Sequence, residues 1–425
     1  MKFIELFAGV GGFRIGLSKA DKVFDCVWAN QWEPATKVQH AANVYRYHFG
    51  DKDLSNTDIN DVIKENHPIP NHDLLTAGFP CQDFSVAHTV AWSKGLEGKK
   101  GNLWYSILDV IDKKNPRYCL FENVNRLLLS PALERGRDFA YILASLNDRG
   151  YAVEWLVVDA SKYGFPQKRK RVFFLCSKKG TKTYQDLKKG KEGVLKNTFP
   201  FTSKEQTIHL SSHIGDGSLD TVFKKFNPPP KGKKIYGSFT YKSPKKFFDY
   251  GTCIDREYVT YNIIPYYRGK YTLLGDIIVK EDNSIPKEYF VNKTDLKKWK
   301  EAKFGGVFSR KSKEGFEYKI SIGKMSLDDS LNEPSRTILT GEGGKAASRT
   351  KHLIKTHSGQ YRRLLPTELE KLNMFPDSFT EFGKEKDGTE YNLLDSRRAF
   401  LMGNALVTGC VKQIGKVLLN RLSHN

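Results

Sequence analysis

The sequence predicts an α/β protein in which a doubly wound, mostly parallel sheet carries helices on both faces and is joined to a smaller, irregular second domain. Short apolar runs alternate with stretches of helical period from the N-terminus onward, the pattern of strand–helix–strand units. A glycine turn links the first strand to the first helix. Near Ser177 the texture changes, and as far as about Leu331 the chain is rich in Lys, Gly, Pro and Tyr without sustained helical periodicity. At 425 residues two cores are expected, because single cores stop growing beyond roughly 250 to 300 residues.

Phe3 to Phe7 is the first apolar run, Gly9-Val10-Gly11-Gly12 the turn, and Phe13 to Leu17 the opening of a helix. Phe24 to Ala29 reads as the next strand. Pro34, suited to a first helical position, and Gly50, suited to a stop, bracket the following helix. Asp73 to Ala77, Tyr118 to Phe121, Ala152 to Val158 and Val172 to Leu175 read as further strands, and Gly101-Asn102-Leu103-Trp104 starts a helix between the first two of these. Phe139, Ile142, Leu143 and Leu146 recur at i, i+3, i+4 and i+7, and Gly150 ends that helix. Leu365-Pro366-Thr367-Glu368 opens a later helix, and Ser396 to Leu419 reads as one largely apolar helical stretch.

The formal charge of +21 and pI near 9.5 point to a polyanionic partner, since Lys and Arg gain by displacing counterions from a phosphate backbone. Basic residues mix with Phe and Pro in Lys224 to Lys234 and in Lys242 to Phe248, which suits phosphate contact with base stacking or groove insertion. The six cysteines are scattered, with no Cys-x-x-Cys pair and no Cys/His cluster, so neither a metal site nor a disulfide framework is expected. A strand begins at Phe3, leaving no room for a cleavable signal, and no run approaches the roughly 20 apolar residues of a membrane span. A cytoplasmic protein without membrane contact is expected.

Two segments carry chemistry. Gly78-Phe79-Pro80-Cys81-Gln82 follows one strand, and another ends in Glu122-Asn123-Val124. Alone, such a Cys is more often a buried structural thiol, and such a Glu is usually solvated or paired. The turn alone is also weak, and the third glycine of the dinucleotide fingerprint is replaced by Arg14. In this order, and with Phe7-Ala8-Gly9-Val10-Gly11-Gly12-Phe13-Arg14 upstream, the segments resemble the motifs of the cytosine carbon-5 DNA methyltransferases. The resemblance covers nearly the whole chain except about Ser177 to Leu331. It implies a Rossmann-like, S-adenosylmethionine-dependent methyltransferase fold with a target-recognition domain.

Cytosine carbon 5 is too poor a nucleophile to take a methyl group until something adds at carbon 6, and a thiolate does this best. Cys81 is therefore expected to be the nucleophile and Glu122 the acid that binds ring nitrogen 3 and the amino group, with Gln82 and Asn123 completing the catalytic set. Burial at a strand end would raise the pKa of Glu122 toward the protonated form this needs. Gln167-Lys168-Arg169-Lys170-Arg171 resembles the family's Gln-x-Arg-x-Arg motif; alternate residues share a face, so Arg171 is assigned to the base and Arg169 to backbone phosphate or loop support.

For the cofactor, the resemblance implies contacts from Phe7, Gly9, Gly11 and Gly12 in the turn, and from Pro80 and Leu103. Gln31 stands where the family has an acid for the ribose, with Trp32 against the adenine and Glu33 in reserve. Asp58 would accept from the adenine amino group and Ile59 pack on the ring, although the local sequence suits Asp58 equally to a helix cap. Asn404, in Met402-Gly403-Asn404-Ala405-Leu406, would reach the methionine end. For DNA it implies Ser85, Arg169, Thr337 beside a flipped-out nucleotide, and Gly343 and Gly344. Arg362-Arg363-Leu364-Leu365-Pro366 with Phe375-Pro376-Asp377-Ser378 matches the motif that organises the small domain.

Residues 1–185, completed by a C-terminal helix 393–425, form the expected catalytic and cofactor domain, and 186–392 the recognition domain. The expected function is methyl transfer to carbon 5 of a cytosine in a short sequence of double-stranded DNA. The enzyme is read as a monomer of a type II restriction-modification system, alongside a restriction endonuclease acting on the same site. The rival is a cytosine carbon-5 methyltransferase acting on tRNA; the long basic insert favours DNA. A zinc deaminase is excluded because Phe84 stands where Pro-Cys-x-x-Cys needs its second Cys, and a P-loop because Gly-x-x-x-x-Gly-Lys-[Ser/Thr] is not met near Gly341.

Overall fold

The computed structural model describes residues 1–34, 36–79, 103–130, 135–203, 247–280, 282–311 and 317–423. Strands β1 (Lys2–Leu6), β2 (Asp25–Asn30), β3 (Leu54–Ser55), β4 (Leu74–Ala77), β5 (Tyr118–Val124), β6 (Tyr151–Asp159), β7 (Lys170–Lys178), β8 (Tyr250–Ile254) and β9 (Glu257–Tyr261) make one nine-stranded sheet. Its order is β9-β8-β6-β7-β5-β4-β1-β2-β3. The half from β3 to β5 is parallel. β7 runs antiparallel to both β5 and β6, and β8 and β9 continue antiparallel at the edge. Strand order reverses between β1 and β4, so the cleft beyond their carboxyl ends is the topological switch point where ligands enter such sheets.

The two-residue period of the strands divides the core between the faces. Ile4, Leu75, Phe121 and Phe174 pack on one side with Trp104 and Ile107 of α4 (Leu103–Lys114) and Phe139 and Leu143 of α5 (Arg137–Asn147). Phe3, Leu74, Leu120 and Leu175 face the other side, against Phe13 of α1 (Gly12–Ala20) and Val411 and Ile414 of the last helix, Thr408–Ser423. Each such aromatic or branched side chain contributes about 1.5–3 kcal/mol by leaving water. α1 and the last helix approach so closely that a Cβ on Gly16 would lie 2.5 Å from Val411.

Four local expectations are corrected. The helix after β2 is His40–Phe49, not one begun at Pro34, because the Gln39 side chain pins the Glu33 and Thr36 backbone into a non-helical loop; Gly50 does end it. The apolar stretch near the C-terminus is two helices, Asp395–Asn404 and Thr408–Ser423, broken at residues 405–407. The region read as lacking helical pattern contains the helix Lys293–Phe304, whose five lysines mask its period, and also supplies β8 and β9. Of the two basic–aromatic runs, Lys224 to Lys234 and Lys242 to Lys246 lie outside the described residues. Phe247 is core, fully buried against Phe139 and Trp155, and Phe248 donates its backbone N–H to Thr260 Oγ1. No described helix is long and apolar enough to cross a membrane.

Glu5, fully buried on β1, accepts from the Phe13 and Arg14 amides at 2.9 and 3.3 Å and so caps α1 from the sheet. Burial pushes its carboxyl from 4.5 up to about 8, with those amides and the Arg14 charge pulling the other way. Buried Glu154, held by the Leu195 and Lys196 amides, is likewise raised, to about 7. A folded pKa above the unfolded one stabilises the fold fully below pH 4.5, and that stabilisation is lost as pH rises toward 8. Unfolding free energy measured in urea should therefore fall over that interval, and Glu5→Gln should remove part of the slope while the Glu154 share persists. An unchanged slope would mean Glu5 is ionised in the fold.

Candidate active site

The turn after β1 is built from left-handed backbone: Phe7, Gly9 and Gly11 have φ of 54°, 56° and 89°. Gly11 is required, since a Cβ there would stand 2.6 Å from Phe49. At Gly9 a Cβ would meet nothing within 4 Å among the described residues, so they leave this face of the turn open at the head of α1. A Cβ on Gly12 would touch Leu406, which ties the turn to the break between the last two helices.

Gln31, expected at the ribose, is buried, and its Oε1 accepts from the Gly9 amide at 2.7 Å. It shapes the turn. Trp32 beside it is 38% exposed and Glu33 half-buried. Asp58 caps the helix Ile59–Lys64, with Oδ1 accepting from the Asn60 amide at 2.8 Å, and Ile59 is buried. Leu103 is half-buried at the start of α4 and Asn404 exposed at the end of its helix.

Pro80, Cys81, Gln82 and Ser85 lie outside the described residues. The chain can be followed from β4 as far as Phe79, whose carbonyl accepts from Asn123 Nδ2 at 3.2 Å. A Cβ built on Gly78 would lie 3.6 Å from Glu122 Oε2. The segment leading to position 81 thus runs past the Glu122 carboxyl.

Glu122 is near the end of β5, 12% exposed, with Oε1 2.8 Å from Arg171 Nε on the neighbouring β7. Burial raises its pKa, and the charges of Arg171 and Arg169 oppose the rise. Of the two arginines of the motif, Arg171 pairs with the carboxylate, and the charge of Arg169 is felt there. Arg169, however, is only 2% exposed, and its guanidinium donates to the carbonyls of Ile338 at 3.2 Å and Gly403 at 3.0 Å. Of its two expected roles, loop support matches this geometry; phosphate contact does not, because those donors face protein.

Thr337 is half-buried and donates through Oγ1 to the Lys168 carbonyl, where residues Ser335–Arg336 run parallel to Gln167–Lys168. Gly343 has no room for a side chain against Ser396, and Gly344 sits on the Lys351 ammonium. Two hubs went unrecognised in the sequence. Buried Gln167 accepts from the Ile338 amide and donates to Asn373 Oδ1 and Leu372 O, while Asn373 donates to Met402 O. Gln167 opens the Gln-x-Arg-x-Arg motif, which was the available signal; nothing local marks Asn373. No cluster of His, Cys, Asp or Glu able to hold a metal occurs among the described residues.

A carboxyl with a raised pKa at a strand end, an arginine on it, and an open glycine turn one strand away describe a site for proton-assisted chemistry on a planar ring beside a second ligand. Solved structures show the same fold. The chain resembles the Dnmt2 methyltransferase of S. pombe (TM-score 0.57, 16% identity, 100% of this chain and 99% of that one) and the methyltransferase EhMeth of Entamoeba histolytica (0.55, 14%, 100% and 99%). Residues 1–420 match the C-5 cytosine-specific DNA methylase family, and the chain belongs to it. It is 37% identical over 424 residues to the type II methyltransferase M.Sau3AI of Staphylococcus aureus, covering 98% of this chain and 94% of that protein. M.HhaI of Haemophilus parahaemolyticus, another type II methyltransferase, is 35% identical over 176 residues, 41% of this chain and 49% of that one. The protein is a DNA cytosine-5 methyltransferase that uses a methyl donor and acts on DNA.

A Cβ on Gly403 would stand 2.4 Å from the Thr340 amide nitrogen. Gly403→Ala should therefore force the 338–340 segment off its helix, lowering stability by about 1–3 kcal/mol and methyl transfer with it. Thermal unfolding and a methylation assay check this; unaltered values for both would show that the contact yields freely.

Proposed function

We propose that this chain is the modification enzyme of a type II restriction-modification system and works in the cytoplasm as a monomer, beside an endonuclease that cuts the same sequence. The relatives M.Sau3AI and M.HhaI named above are type II enzymes, which supports this reading. The donor is S-adenosylmethionine, and the open space at Gly9 suits its amino-acid end. Phe7, Gly9, Gly11, Gly12, Leu103, Pro80 and Asn404 would line that end, Gln31 with Glu33 in reserve would meet the ribose, and Trp32, Asp58 and Ile59 the adenine. The carboxylate of Asp58 keeps lone pairs beyond those its helix cap uses.

The single observation that carries the mechanism is the Glu122–Arg171 pair at the place where the chain passes toward Cys81. The cytosine is swung out of the duplex, with Thr337, Ser85, Gly343 and Gly344 on the DNA side. The Cys81 thiolate adds to carbon 6 and the electron pair moves into the ring. Glu122, its pKa raised by burial, gives a proton to nitrogen 3, and Arg171 then stabilises the carboxylate left behind. Bound S-adenosylmethionine supplies an electrophilic methyl group to carbon 5. Solvent water takes the carbon 5 proton, the C–H electron pair forms the carbon 5–carbon 6 double bond and the thiolate leaves carbon 6, while nitrogen 3 returns its proton to Glu122. Asn123 steadies the start of the nucleophile segment through the Phe79 carbonyl, and Gln82 belongs to the same catalytic set. Residues 1–185 with 393–425 serve catalysis and 186–392 recognition, with residues 250–261 lending two strands to the catalytic sheet.

Incubation with labelled S-adenosylmethionine and duplex DNA or tRNA, followed by bisulfite mapping, should place label at one short DNA sequence; label in tRNA alone would overturn the substrate. Cys81→Ser should abolish transfer while DNA binding persists, and Glu122→Gln should lower kcat at least about 100-fold, the usual worth of acid–base assistance. Substantial turnover by Cys81→Ser would remove the covalent step.

A further inference from the structure

Behind Thr337 lies a chain of buried polar groups that the methyl-transfer chemistry does not use. His352 is fully buried, and its Nδ1 lies 2.8 Å from Glu342 Oε1 and its Nε2 2.9 Å from Ser335 Oγ. Its backbone amide donates to Glu342 Oε2 at 3.0 Å, so the carboxylate grips the residue twice. Glu342 and Ser335 are themselves buried. The neighbouring residues reinforce the same contact. Arg336 donates to the carbonyls of Thr350 and Lys351 and is paired with Asp329, which also accepts from the Leu353 amide. Lys351 Nζ donates to the carbonyls of Gly344 and Ala346 at 2.9 and 2.7 Å.

Burying ionisable groups costs free energy that apolar packing would not, and the return is a single geometry. Here the segment 351–353 is a plank to which two loops are fastened. Ser335 and Arg336 on one side lead directly to Thr337, and Glu342 with the carbonyls of Gly344 and Ala346 on the other belongs to the glycine loop. Neither loop has a strand longer than two residues to hold it. Without the plank, the residues between them would be held from behind, by Gln167, Lys168 and Arg169 and by the packing of Gly403.

We propose that His352 is a positioning residue for DNA engagement: through Ser335 and Glu342 it fixes where Thr337 and the Gly343–Gly344 backbone meet the DNA strand. This rests on the reading of Thr337 as a phosphate contact. His352 touches neither substrate nor donor, so its loss acts on DNA recognition and leaves the glycine turn after β1 untouched.

The test compares His352→Leu, His352→Asn, Ser335→Ala and Thr337→Ala by steady-state kinetics, with KM for DNA and for S-adenosylmethionine measured separately. Ser335→Ala removes one link only and keeps the comparison open should His352→Leu fail to fold. Ser335→Ala and His352→Leu should raise KM for DNA by about tenfold, the equivalent of one lost hydrogen bond, with KM for the donor unchanged. His352→Asn, which can still bond to Ser335 or Glu342, should recover part of the loss. Unchanged DNA KM in Ser335→Ala, or equal losses for DNA and donor, overturns the proposal. If Thr337→Ala raises the DNA KM and the other variants do not, the positioning role fails alone; if Thr337→Ala also has no effect, the phosphate reading fails first.

Discussion

A guanidinium that cannot give up its proton is buried at Arg169, and the fold around the site is arranged to satisfy it. Its donors reach the carbonyl of Ile338 and that of Gly403, two segments far apart in sequence that meet nowhere else so closely. One precedes the glycine loop on the DNA side, and the other ends the helix that presents Asn404. Leaving a fixed charge unpaired in the interior is far more costly than a typical lost hydrogen bond, so both segments are held at once or not at all. Gln167 and Asn373 repeat the device with neutral amides. The strand entry 167–171 is thus the common support of the segment leading into the 341–344 loop, the helix ending at Asn404 and the strand that carries Glu122.

The same stretch adjusts the acid. β7 runs against β5, so Arg171 comes opposite Val124 and its fork falls on Glu122. Burial pushes the pKa of this carboxyl up, and the charges of Arg171 and Arg169 pull it back down, so the two effects are opposed at one group. Parallel pairing in this half of the sheet would have sent the arginines to the opposite end, so the reversed strand is what brings Arg171 to Glu122.

Much of this was legible in the sequence because it lies on short, strongly patterned segments. β1, the glycine turn, β4, β5 and the Arg motif all stand where alternation and glycine placement put them. Pro34 misled because Gln39, five residues on, holds the backbone by side-chain hydrogen bonds that no local propensity announces. Phe247 misled differently: a phenylalanine among lysines reads as a surface residue, and only the pairing of β8 with β6 shows it entering the core. At Gln31 the side-chain carbonyl accepts from the Gly9 amide, a contact that nothing in the local sequence announces. Arg169 could not be settled from the sequence because a buried and a solvated arginine look alike until the carbonyls it serves, residues 338 and 403, are brought beside it.

β8 and β9 leave the sheet's edge closed by residues that come from the middle of the basic insert. Gly251 lies so tightly under Trp155 that a Cβ would be 2.2 Å from its ring, and the indole N–H donates to the Phe248 carbonyl. The hairpin is thereby part of the nine-stranded sheet although it lies within the basic insert. Anyone exchanging that insert between enzymes of this kind would have to place the splice junctions outside residues 247–261; a graft that replaced it as a block would tear off the rim of the sheet.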